Sequence, residues 1–81
     1  MSENLSKLPI NVNALITGIN PAGDRKIKQR LRDMGVVKGG EIFIAKIAPL
    51  GDPIEVILKN YSLTLRKKEA ELISVQIIKD E

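Results

Sequence analysis

The chain has 81 residues, a formal net charge of +3 and neither cysteine nor histidine, which excludes a disulfide framework, Cys/His zinc sites, thiol nucleophiles and histidine general bases. A chain this short buries only roughly 60 to 65% of the surface that its unfolded form exposes, so one compact core must carry it. With no Trp and a single Phe and Tyr, that core is built from Val, Ile and Leu. No apolar run nears the ~18 residues that cross a bilayer, and MSENLSKLP lacks the apolar stretch of a signal peptide, so a soluble intracellular protein with no direct membrane insertion is expected.

Residues 1–12 are polar or mixed and carry Pro9, which argues against a continuous helix; they read as a loose lead-in to a single domain over 13–79. Asn13 to Ile19 reads as a short strand. In the following NPAGD, Pro21 and Gly23 end that strand and Asp24 is placed to cap a helix. From there the period changes: Ile27, Leu31 and Met34 recur at four and three residues, predicting a helix over about 24–34 whose apolar stripe faces the core. Gly35 ends it, in the left-handed conformation that glycine adopts at helix C-termini.

The remainder reads as β structure. Gly39 and Gly40 introduce EIFIAKIA, PLGDP turns, IEVILK runs back, Asn60 makes a tight corner into YSLTLR, and after a short helical turn near 67–71 LISVQIIK forms the last strand. Ile54, Val56 and Leu58 share one face, as do Tyr61, Leu63 and Leu65, and Ile73, Val75 and Ile77. In EIFIAKIA, Lys46 would follow Ile42 and Ile44 inward, so a bulge that restores Ile47 to the inner face is expected. Five short strands with tight turns favour a mainly β fold, a small closed or nearly closed barrel with the helix plugging one end, because an open sheet would leave long edges exposed.

Two features are candidates for binding. The loop APLGDP is pre-set by Pro49 and Pro53, which fix their own φ, by Gly51, which takes positive φ, and by Asp52, which can bond its own turn. It reads either as a hairpin that pins strand register or as a recognition loop, Pro49, Leu50, Gly51, Asp52 and Pro53, already ordered before a partner arrives. The second feature is the charge: Arg25, Lys26, Lys28, Arg30, Arg32 and Lys38 stand against only Asp24 and Asp33. Such a face would be a solvated surface or would steer an acidic partner. Arg66, Lys67 and Lys68 would extend it or simply guard a strand edge against aggregation. Met34, at the helix end, is the stripe member expected to stay partly exposed. Ile57, opposite to Val56 and Leu58, is either covered or part of an apolar patch; exposure of Ile57 and Ile78 would favour weak homo-oligomers.

The runs RLRDMGVVKGGEI, APLGDPIEV and LTLRKKEAELISV, in this order and spacing, resemble the FeoA family, small cytoplasmic proteins that accompany the membrane ferrous-iron transporter FeoB. Arg30, Leu31, Met34, Gly35, Gly39, Pro49 to Pro53, Leu65, Arg66 and Ala70 match its pattern. The resemblance implies an SH3-like β-barrel with an inserted helix, cytoplasmic location, no enzymatic activity and no cofactor, and a role in binding or regulating the transporter's cytoplasmic, GTP-hydrolysing region. Contacts would come from the Pro49 to Pro53 loop and from Arg25, Lys26, Lys28, Arg30, Arg32 and Met34. The alternative is a nucleic-acid-binding basic barrel. Such barrels stack bases on aromatic platforms, and Phe43 and Tyr61 are too few, with Tyr61 expected to be buried, so no nucleic acid is expected as a partner. No nucleophile sits beside a plausible base, and GDRKIKQ lacks the P-loop pattern, which speaks against an enzyme.

Overall fold

A computed structural model of the chain describes residues 3–20 and 24–78. The runs rich in Val and Ile form strands β1 (Glu3–Asn4), β2 (Ala14–Ile19), β3 (Glu41–Ile47), β4 (Ile54–Leu58), β5 (Tyr61–Leu65) and β6 (Ile73–Ile77), with helices α1 (Arg25–Asp33) and α2 (Lys67–Ala70). The strands make one six-stranded sheet in the order β1-β6-β2-β3-β4-β5, antiparallel throughout. β3 is shared: Glu41 and Ile42 face β2, whereas Ile42 to Ile47 run along β4. That sharing coils the sheet around one cluster formed by Ala14, Ile16, Ile42, Ile44, Ile54, Val56, Leu58, Leu65, Ile73 and Val75. Leu31 from α1 and Ala70 from α2 are buried in the same cluster.

All five expected strands are present; the sixth, β1, lies in the segment expected as a loose lead-in, and that expectation is corrected. Glu3 and Asn4 pair with Val75 and Ser74. A 3-10 turn over Leu5–Lys7 follows, and Leu5 and Leu8 are both buried. Ile10 then bridges Ile44 in parallel, and the Asn11 N–H donates to the Ile44 carbonyl at 2.7 Å. Pro9 does exclude a longer helix, but two leucines three residues apart need only one turn to enter a core. The expected turn at Pro21 and Gly23, and Lys79 at the expected domain end, lie outside the described residues.

Helix α1 begins as its sequence predicts, with the Asp24 carboxylate accepting the Lys26 N–H at 2.7 Å. It ends at Gly35, φ +95°, with Val36 N–H donating to Leu31 O at 2.9 Å and Gly35 N–H to Arg32 O at 3.0 Å, the paired bonds of a Schellman motif. Leu31 is fully buried, and Ile27 and Met34 pack partly buried against the core.

Three side-chain placements differ from the period-two reading. Tyr61 is 44% exposed, not buried, and its hydroxyl donates to the Met34 carbonyl at 2.6 Å, fastening the start of β5 to the end of α1. The register shift between Ile44 and Lys46 is the expected bulge and leaves Lys46 outside, yet Ile47 stays 40% exposed. Past Ile42, β3 has only β4 as a strand neighbour, so nothing from β2 covers its end. Ile77 is likewise 37% exposed at the end of β6. Ile57 is half-buried opposite Phe43, and Ile78 is half-buried. The corner before β5 takes its positive φ at Lys59, +36°, rather than at Asn60.

Gly35 makes a direct test of this packing. A Cβ there would overlap the Tyr61 hydroxyl and would sit at positive φ. Gly35→Ala is expected to cost about 2 to 3 kcal/mol in urea unfolding. The cost should be smaller in a Tyr61→Phe background, where the overlapping oxygen is gone; equal costs in both backgrounds would contradict the contact.

Candidate functional site

The loop between β3 and β4 is stiff because it is bonded at three places. Gly51 N–H donates to Ala48 O at 2.7 Å with Gly51 at φ +85°, and Ala48 N–H donates to Pro53 O at 3.1 Å. The Asp52–Pro53 peptide is cis. The third bond was expected within the turn and lies elsewhere: the Asp52 carboxylate accepts the Lys67 N–H at 3.0 Å, satisfying an end donor of α2. The loop is thereby tied to α2; Pro49 and Asp52 are exposed on it, and Leu50 is its most prominent apolar side chain, 95% exposed.

Helix α2 is fastened in turn to α1. Glu69, 2% exposed, accepts the Arg66 N–H through Oε1 at 2.8 Å and the Arg30 Nη1–H through Oε2 at 2.7 Å. Arg30 is therefore a structural partner, with its side chain 59% exposed, and not a free member of the basic face. Tyr61 adds a second tie at the same C-terminal end of α1, through the Met34 carbonyl. Loop, α2 and α1 form one braced unit.

The remaining helix cations separate by spacing. Arg25, Lys28 and Arg32, at intervals of three and four residues, lie along one side of α1, and Lys26 lies away from them. Arg25, Lys26 and Arg32 are exposed and Lys28 is half-buried. Met34 packs half-buried against the core and stays partly exposed, as its place at the helix end leads one to expect. Sequence reasoning missed Glu69, whose only local signal is an acid three residues after Arg66, and the cavity beside Val36 and Val37 described below.

Among the described residues no group of three or more His, Cys, Asp or Glu is placed to hold a metal ion, and no helix is long and apolar enough to cross a membrane. An exposed leucine on a braced loop is the kind of apolar anchor suited to contact with another macromolecule.

Comparison with known proteins agrees with this geometry. The FeoA domain family model matches residues 3–77, taking in the N-terminal strand and turn. A Porphyromonas gingivalis protein described as an Fe(2+) transport protein A/Fe(2+) transporter FeoB fusion is 32% identical over 74 residues, 91% of this chain. This chain spans only 8% of that relative's length. An FeoA-like protein from Clostridium acetobutylicum superposes with a TM-score of 0.87 at 39% identity, covering 99% of this chain and 91% of that one. The FeoA of Stenotrophomonas maltophilia, solved complexed with zinc and described as a prokaryotic SH3 domain protein, gives 0.79 at 31% identity, covering 90% and 88%. A family match over nearly all of the described fold, carried by strands that coil as an SH3-like barrel with an inserted helix, establishes that the chain belongs to the FeoA domain family.

Proposed function

We propose that this chain is a cytoplasmic accessory domain of ferrous-iron uptake that docks on the cytoplasmic, GTP-hydrolysing region of an FeoB-type transporter and regulates it, acting by binding and not by catalysis. The observation that carries the reading is the fusion: in the Porphyromonas relative a domain 32% identical to this chain shares one polypeptide with FeoB. Tethering raises the effective concentration of two modules that work together. The site chemistry supports the same reading. Leu50 is an apolar anchor on a loop whose ordering entropy is already spent, and the α1 cations would steer approach to an acidic surface.

Calorimetric titration of the chain into the purified cytoplasmic region of its transporter, with and without a GTP analogue, tests this. Leu50→Asp is expected to weaken binding about tenfold or more, and to leave the unfolding midpoint unchanged, because Leu50 is 95% exposed. Absence of saturable binding in either nucleotide state would overturn the proposal.

A further inference from the structure

The basic stripe of α1 ends at an apolar cavity. Arg32, the last cation of the Arg25, Lys28, Arg32 row, lines a cavity of about 350 Å³ together with Gly18, Ile19, Val36, Val37 and Lys38. Its apolar sides are the half-buried Ile19 and the 52% exposed Val37, the fully buried Val36 lies beneath them, and its rim carries two exposed cations, Arg32 and Lys38. Among the described residues the one ion pair is Arg30 with Glu69, so none of these four cations is held in an ion pair. Asp24 accepts the Lys26 N–H and Asp33 the Gln29 side chain at 2.9 Å, and both keep their charge, so these cations outnumber the acids here by four to two.

We infer that this stripe and cavity form a docking site for an acidic segment of a partner protein. Carboxylates of the segment would pair with Arg25, Lys28, Arg32 and Lys38, and one of its aliphatic side chains would rest between Ile19 and Val37, over the buried Val36. Charge complementarity selects the acidic character, because the row and the rim present four cations, none of them in an ion pair, against two acids, Asp24 and Asp33. The apolar walls select a side-chain anchor. They also favour a polypeptide over a nucleic acid, which would need aromatic platforms: Phe43 lies opposite Ile57 on the sheet and the Tyr61 hydroxyl is held by Met34, so neither ring lines the cavity. The inference names a surface for the accessory-domain reading and rests on that reading only for the identity of the partner.

The test is an amide chemical-shift titration of the full chain with a short synthetic peptide of Asp and Glu bearing a central leucine. Saturable shifts at Gly18, Ile19, Arg32 and Val36 to Lys38 are expected. Charge reversal at Arg32→Glu with Lys38→Glu, both exposed positions, should weaken binding about tenfold or more, and added salt should weaken it further. Exchanging the peptide's leucine for serine should weaken it about tenfold as well. Equal affinity of the serine peptide, shifts located elsewhere, or tighter binding at these residues by a short single-stranded oligonucleotide or by phosphatidylserine vesicles would each overturn the inference. A parallel titration with the transporter's cytoplasmic region separates the two readings. Peptide binding without transporter binding removes the proposed partner and keeps the site; transporter binding mapped to Leu50 alone, with no peptide shifts, does the reverse.

Discussion

Leu5→Ala is expected to destabilise the chain by about 3 kcal/mol, the usual range for emptying a buried leucine site being about 2 to 5. For a domain of this length, whose whole stability is about 4 to 12 kcal/mol, that is a large fraction. Leu5 is fully buried and belongs to the same cluster as Ile16, Ile73 and Val75, so its truncation opens a cavity in the main core and not at a frayed end. The neighbouring β1 contributes pairing to β6 but only two residues of it, which leaves Leu5 and Leu8 as the principal anchors of the segment. Urea unfolding should show a lower midpoint at unchanged slope, and exposed Lys7→Ala should serve as the control. A change below about 0.5 kcal/mol, typical of surface positions, would restore the loose lead-in expected from composition and Pro9.

The second large effect lies at the brace between the helices. Arg30→Ala leaves the Glu69 carboxylate, whose side chain is 3% exposed, with the Arg66 N–H as its partner. Stripping a partner from a fully buried ion pair costs about 3 to 5 kcal/mol. Arg30 is itself 59% exposed, so solvent screens the pair and the expected loss is smaller, about 2 kcal/mol. Removing both side chains together should cost less than the sum of the single losses by about 1 kcal/mol or more, the coupling of residues in direct contact. Faster amide exchange in Lys67 to Ala70 should accompany Arg30→Ala, because α2 is a single turn held by its side-chain bonds. An Arg30→Ala variant as stable as the parent would show the pair to be an incidental surface contact and would return Arg30 to the free basic face.

Local patterns in the chain were sufficient for most of the fold. The alternation in Ile54, Val56 and Leu58 specifies which face of β4 is buried, and the four-then-three spacing of Ile27, Leu31 and Met34 with Gly35 behind it specifies where α1 packs and stops. Lys46 between inward-facing isoleucines announces the bulge. Apart from the corner that turns at Lys59 rather than Asn60, the main failures are non-local. Tyr61 has the right period for burial, but whether an end-of-strand ring is covered depends on what lies over the barrel mouth, and there it meets the backbone of Met34. Asp52 is chemically suited to its own turn and bonds instead a backbone N–H 15 residues away. Arg30 counts as surface charge until a carboxylate 39 residues on is folded against it.

The candidate site follows the same division. The loop is legible because Pro49, Gly51 and Pro53 act on their own backbone, and Leu50 stands out by being apolar among turn residues. The basic face was legible only as composition. Its division into a braced cation, Arg30, and a row outside any ion pair ending at Ile19, Val36 and Val37 needs the three-dimensional arrangement.

The most direct test of the central claim is to map amide shifts of the labelled full chain titrated with its transporter's purified cytoplasmic region in the GTP-analogue and nucleotide-free states. The account predicts saturable shifts at residues flanking Pro49 and along Arg25 to Arg32, of a size that depends on nucleotide. Unchanged spectra in both states at the highest attainable concentration would contradict docking on that region.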